Sequence, residues 1–254
     1  MQRTFSYILL ITWFIVSTGC KTSFVKTSVD SDNMYVSGTE FKPDSQVVKM
    51  YLPYKEILEE DMSKIISITE EEMVKDRPES ALTNFLADLL LLEATKIADT
   101  LNLEIEPDIS FFNYGGIRTF LPKGNITVGE IYELMPFENQ LVYLKLSGNQ
   151  IQELLDNIAN KGGGSLGGVR FKIAGNKAKD VMVNGQLIDD QSNYWLVTND
   201  YVASGGDGME MLKSAVENTA SGKKIRDIII AHLTALHKRN QKISAQTDGR
   251  IQYE

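Results

Sequence analysis

The sequence predicts an α+β domain, and three observations predict it. Segments with apolar residues at three and four spacing, which read as helices, are interspersed with short alternating or continuous apolar runs, which read as strands. An Asn184-Gly185 pair between Val181-Met182-Val183 and Gln186-Leu187-Ile188 forms a tight primed turn, so some neighbouring strands are antiparallel. Repeated strand–helix–strand units and fixed-period repeats are absent from the sequence, which argues against a doubly wound sheet or a solenoid.

The elements follow in order. Residues 50–58 open the folded part as a helix, and 64–68 alternate like a strand. A long helix spans 80–101, with Leu82, Phe85, Leu86, Leu89, Leu90, Ala94, Ile97, Ala98 and Leu101 on one face. Ser80 or Glu79 stands at its N-cap. Pro107 precedes a short buried strand over 108–112. Thr127 and Glu130 have capping-box spacing for a helix over 127–134, which Pro136 ends. A strand over 140–146, a helix over 149–159 and a strand over 169–173 come next. The glycines 162–164 read as a flexible loop. After the hairpin, a strand over 194–198 aims at a Gly-Gly-Asp-Gly turn, and a helix over 225–238 closes the domain.

The N-terminal residues read as a leader. Arg3 precedes an apolar run over 7–16, then Ser17-Thr18-Gly19 and Cys20. The run is shorter than the about 20 residues of a membrane-spanning helix. The pattern resembles a bacterial lipoprotein signal over 1–19, apart from Ser17 where a leucine is usual. That resemblance implies lipidation of Cys20, a flexible tether over 20–45, and a domain over 46–254 held at the bacterial cell envelope, facing the periplasm. An ordinary signal peptide with an incidental Cys20 is the plainer alternative. Cys20 is the only cysteine, so neither an intramolecular disulfide nor a cysteine metal site is open to this chain. The net charge of -8 argues against a nucleic-acid groove, which needs a basic footprint.

Two segments carry the chemistry. Phe112-Asn113-Tyr114-Gly115-Gly116-Ile117-Arg118 places an amide, paired glycines and a guanidinium in one turn after an apolar run. Gly115 and Gly116 let backbone approach a ligand, and Arg118 supplies planar charged donors for a carboxylate or phosphate. Asn199-Asp200-Tyr201-Val202-Ala203-Ser204-Gly205-Gly206-Asp207-Gly208 answers it downstream. Taken singly these features have plainer readings: core rings for Phe137 and Tyr201, an ordinary turn for Gly206 and Asp207, a surface ion pair for Arg118.

Taken together with Met135-Pro136-Phe137-Glu138-Asn139 and Gly167-Gly168-Val169-Arg170-Phe171, and with the helix start from Glu79 to Asp88, they stand in the order and spacing of one family. The chain resembles the C-terminal, substrate-binding domain of the 5'-nucleotidases and UDP-sugar hydrolases over about 76–251. The resemblance implies that Phe137 and Tyr201 clamp a nucleobase, that Asp207 in its Gly206 turn faces the ribose hydroxyls, and that Asn113 and Arg118 address the phosphate. The family's usual arginine three residues before Glu79 is Asp76 here, with Arg77 beside it; Arg170 is a further basic candidate.

In complete family members a separate metallophosphoesterase domain holds two metal ions. Its histidine-rich motifs are absent from this sequence, and His232 and His237 lie five apart on one helix. A Ser-His-Asp mechanism is poorly supported too, since neither histidine follows a loop that would present it. The expectation is therefore a nucleoside- or nucleotide-binding specificity subunit without a cofactor of its own, serving a separate metallophosphoesterase chain that carries a divalent metal pair. A stand-alone nucleoside-binding lipoprotein without hydrolysis is the alternative.

Overall fold

The computed structural model describes residues 43–254; the expected leader, Cys20 and nearly all of the tether lie outside the described residues. Helix α1 (Ser45–Met62) extends past the expected 50–58 at both ends. Then come β1 (Ile65–Thr69), α2 (Ala81–Thr100), β2 (Ile109–Phe112), β3 (Gly124–Thr127), α3 (Val128–Leu134), β4 (Gln140–Ser147) and α4 (Gly148–Asn160). The second half holds β5 (Ser165–Gly167), β6 (Val169–Ala174), β7 (Lys177–Val183), β8 (Gln186–Leu187), β9 (Asn193–Asn199), the short α5 (Asp200–Ala203), β10 (Glu217–Lys224), α6 (Ile225–Lys238) and β11 (Ile251–Tyr253).

Helix starts follow the caps in the sequence. Ser80 Oγ accepts from Thr83 N and Thr83 Oγ1 accepts from Ser80 N, which closes a capping box on α2. Thr127 with Glu130 does the same on α3, and Ser147 with Gln150 on α4. Each such cap contributes about 1 kcal/mol. The Asn184-Gly185 hairpin is formed as expected, with both residues at positive φ.

A five-stranded sheet in the order β10-β4-β9-β2-β5 organises the domain. Its pairs are antiparallel except β2 with β9, which run parallel. Because side chains alternate across a strand, the sheet feeds two cores. Phe112, Leu141, Tyr143 and Val197 face a layer built from α2, α3 and α6. Phe111, Val142, Leu144 and Leu196 face α4 and the second sheet, β11-β6-β7-β8. Leu82, Leu86 and Leu90 of α2 are fully buried, each gaining roughly 1.5–3 kcal/mol over exposure. Burial pushes the Tyr143 phenol up to about 12, and its hydroxyl donates to Ala94 O at 2.7 Å.

The C-terminal strand is tied into this frame. β11 pairs parallel with β6, and the buried Arg250 donates to Asp88 at 2.6 and 2.9 Å and to Leu166 O at 2.9 Å. The glycines 162–164 are packed, which corrects the flexible-loop expectation. A methyl on Gly163 would lie 2.1 Å from Pro78 O, and Gly164 N donates to that same oxygen at 3.0 Å. Only glycine, here at φ +111°, lets the two backbones meet so closely.

Candidate functional site

Strand directions bring three segments to one edge of the central sheet. β2 and β9 run parallel with Ile109 opposite Leu196, so residues 113–118 and 200–208 leave the sheet at the same end. β4 is antiparallel to β9 with Leu141 opposite Asn199, so residues 135–139, which feed β4, arrive there too. Between them lies a cleft of about 330 Å³. Asn113, Gly115, Gly116 and Arg118 line it from the first segment, Phe137 from the last, and Tyr201 and Asp207 from the turn after β9. Asn139 also lines the cleft, although its side chain is not among the site residues that the motifs single out. Gly206 sits beneath the Tyr201 ring: a methyl there would lie 2.5 Å from ring carbons.

Both rings are half exposed, Phe137 at 47% and Tyr201 at 46%, and so are not core residues. Tyr201 is fixed by its hydroxyl, which donates to Asp207 Oδ1 at 3.0 Å and accepts from Asp207 N at 3.2 Å. Phe137 is fixed through its backbone. The buried Arg226 donates to Met135 O at 3.4 Å and Phe137 O at 3.5 Å, and pairs with Glu138. Bonds from Lys224 and Arg226 hold the Glu138 carboxyl below its ordinary 4.5.

A buried polar chain runs under the cleft. Asn199 Oδ1 accepts from Val202 N at 2.8 Å and caps α5, while its Nδ2 donates to Asn113 Oδ1 at 3.0 Å. That bond turns the Asn113 amide so that Nδ2 donates to Asp207 Oδ2 at 2.7 Å. Gly116 makes room for it, since a methyl there would lie 2.7 Å from Asn113 Oδ1. Asp207 itself sits in a left-handed turn (φ 55°), braced by Lys161 Nζ donating to its carbonyl at 2.6 Å. The Asp207 carboxylate thus bonds to other residues' side chains rather than to its own backbone. Asn199 is legible in the sequence only as a helix cap; its link to Asn113 is tertiary.

The basic residues divide. Arg118 lines the cleft and donates to Gly115 O at 3.2 Å. Arg77 stacks over the Tyr114 ring at 4.3 Å and lines an adjoining cavity of about 270 Å³, whose wall shares Asn113, Gly115 and Asp207 with the cleft. Lys75 lies 4.5 Å from the same ring and donates to the Tyr114 and Ile117 carbonyls. Burial, then the nearby Arg118 and Arg77, push the Lys75 ammonium below its ordinary 10.5. The turn at Tyr114 is therefore a local concentration of positive charge in an acidic chain. Arg170 points away, pairing with Asp248 at 2.9 Å. His232 bonds Glu93 at 2.8 Å on the α2–α6 face. Among the described residues no group of three or more His, Cys, Asp or Glu is placed to hold a metal ion.

Comparison with known proteins identifies the family of the chain. The family model described as "5'-nucleotidase, C-terminal domain" matches residues 64–214. The trifunctional nucleotide phosphoesterase protein YfkN of Bacillus subtilis is 32% identical over 189 residues, which are 68% of this chain and 12% of that protein. The 5'-nucleotidase of Vibrio vulnificus is 23% identical over 74% of this chain and 34% of its own length. The chain thus spans about a third or less of these two relatives. The crystal structure of a 5'-nucleotidase precursor from Thermus thermophilus superposes with a TM-score of 0.68 at 28% identity, covering 83% of this chain and 44% of that one. With the mixed sheet, the ordered motifs and the matched residues in agreement, the chain belongs to the 5'-nucleotidase C-terminal domain family.

Proposed function

We propose that this domain is the nucleoside- and nucleotide-binding specificity part of a split 5'-nucleotidase, with hydrolysis carried by a separate metallophosphoesterase chain bearing a divalent metal pair. One observation carries the reading: two half-exposed rings, Phe137 and Tyr201, line a single cleft with Asp207 and Arg118. Flat rings stack on a base at about 1–3 kcal/mol per base and tolerate any base. Arg118 and the positive turn at Tyr114 suit a phosphate, because a charge-assisted bond is roughly twice as strong as a neutral one. Holding the base and sugar here raises the effective concentration of the phosphate ester at the partner's metals. Family membership supports a nucleotide-related role. Cys20 lipidation would hold the domain at the envelope, facing the periplasm; retention of Cys20→Ala in the membrane fraction would overturn that part.

Titration calorimetry with adenosine and adenosine 5'-monophosphate tests the binding reading. Arg118→Ala should weaken the monophosphate far more than the nucleoside, and equal losses would make Arg118 structural. Phosphate release from a nucleotide panel, by this chain alone and with a co-purifying phosphoesterase, tests the split. Nucleoside binding with no change in turnover on adding this chain would favour a stand-alone binding lipoprotein.

A further inference from the structure

We infer that the Tyr201 hydroxyl sets the sugar specificity of the cleft, and that it makes the site accept 2'-deoxyribonucleosides almost as well as ribonucleosides. The inference rests on the nucleoside-slot reading above and deepens it. Asp207 is the carboxylate that lines the cleft, and both of its oxygens already carry a donor within the protein. Oδ1 takes the Tyr201 hydroxyl at 3.0 Å and Oδ2 takes the Asn113 amide at 2.7 Å. The Tyr201 oxygen in turn accepts from Asp207 N at 3.2 Å, so hydroxyl and aspartate close a ring on each other. The ring lies close over Gly206, where even a methyl would come within 2.5 Å of its carbons.

A sugar diol approaching Asp207 therefore meets oxygens whose charge is partly satisfied. It must either share each oxygen with a protein donor or displace the Tyr201 hydroxyl, whose bond is then lost. Where the hydroxyl is displaced the net gain is small, because a hydrogen bond counts only by the difference from the one it replaces. Where an oxygen is shared, the second bond goes to a carboxylate whose charge the first donor has already partly satisfied. Asn113 is held by the buried Asn199 at 3.0 Å, so its amide does not turn aside to free Oδ2. A ligand that lacks a sugar hydroxyl loses little, while base stacking on the same tyrosine is untouched. Tyrosine at 201 thus supplies the ring and blunts the carboxylate in one side chain. Phenylalanine would supply the ring alone and leave Oδ1 open.

The test is calorimetric comparison of adenosine and 2'-deoxyadenosine on the wild-type chain, on Tyr201→Phe and on Tyr201→Phe/Asp207→Asn, each checked for an unchanged thermal midpoint. The wild type should prefer adenosine by less than about threefold, and Tyr201→Phe by about tenfold or more, the size of one bond to a charged acceptor. Asp207→Asn on that background should return the ratio toward one. A wild-type preference of about tenfold, or a ratio unmoved by Tyr201→Phe, overturns the sugar proposal and leaves the base slot standing. Binding of neither nucleoside to the wild type overturns the base slot and the sugar proposal with it. Should the variants lose their fold, the wild-type ratio alone still decides, because a strong preference for adenosine contradicts the proposal.

Discussion

The mount of Tyr201 and the mount of Phe137 hold rings of nearly equal exposure by different means. Tyr201 is held at its tip, by a hydroxyl bonded to Asp207 and by the bare backbone of Gly206 beneath the ring. Phe137 is held at its root, by Arg226 bonding the carbonyls of residues 135 and 137 and pairing with Glu138, while Ile225 N ties Asn139 O at 2.9 Å. A ring fixed at its tip presents one face at a set angle. A ring fixed only through its backbone keeps its side-chain rotation. The cleft is therefore lined by one ring anchored through its own side chain and one anchored through the backbone around it.

The largest test of this contrast removes both rings. Phe137→Ala with Tyr201→Ala should weaken nucleoside binding by about 2–4 kcal/mol, read by calorimetry. Unchanged affinity would end the clamp idea. Because both rings would stack on one base, the summed single losses are expected to depart from the double loss by more than about 0.5 kcal/mol. Next comes Arg226→Ala, which should lower the unfolding free energy by about 1–3 kcal/mol in urea titrations, since several bonds to carbonyls and a carboxylate are lost. On that background Phe137→Ala should cost little binding while Tyr201→Ala keeps its full effect. Equal residual effects would mean that Arg226 does not serve the Phe137 side alone.

Gly206→Ala probes the other mount. Its methyl would lie 2.5 Å from the Tyr201 ring, so the ring must shift, with an expected loss of about 1 kcal/mol in nucleoside binding. The effect should vanish once Tyr201 is alanine. The smallest expected effect is acid-dependent. Glu138 is held below its ordinary 4.5 by Lys224 and Arg226, so its contribution is complete above that value and is lost as the pH falls through the folded-state value. Nucleoside affinity should stay level from neutral pH to about 5 and weaken below the ordinary carboxylate range, with a shallower acid limb in Glu138→Gln. An identical limb in that variant would remove Glu138 from the Phe137 mount.

Much of this fold is legible in the sequence, for local reasons. The caps at Ser80 and Thr127 set two helix starts, the 225–238 periodicity matches α6 at both ends, and Asn184-Gly185 names its own hairpin. The strands that escape such a reading are those with little local signal. β10 reads Glu-Asn-Thr-Ala-Ser-Gly-Lys-Lys and is largely exposed at a sheet edge, while β3 and β5 are short and contain glycine. The cleft residues stand out because their types and order are unusual. How they bond is hidden, because the Asn113–Asp207 contact joins residues 94 apart and Asn199–Asn113 joins residues 86 apart. The glycines 162–164 look loose because nothing nearby in sequence announces that Pro78 will press against them.

Arg250 and β11 carry a consequence for the order in which the domain is built. They fasten the long helix α2, through Asp88, to the sheet strand at Leu166 and to β6, all of which are synthesised well before them. A nascent polypeptide in which residues 250–253 are still inside the ribosome lacks this clasp, whatever its earlier parts have done. The bonds of that clasp thus form only after that short segment has emerged.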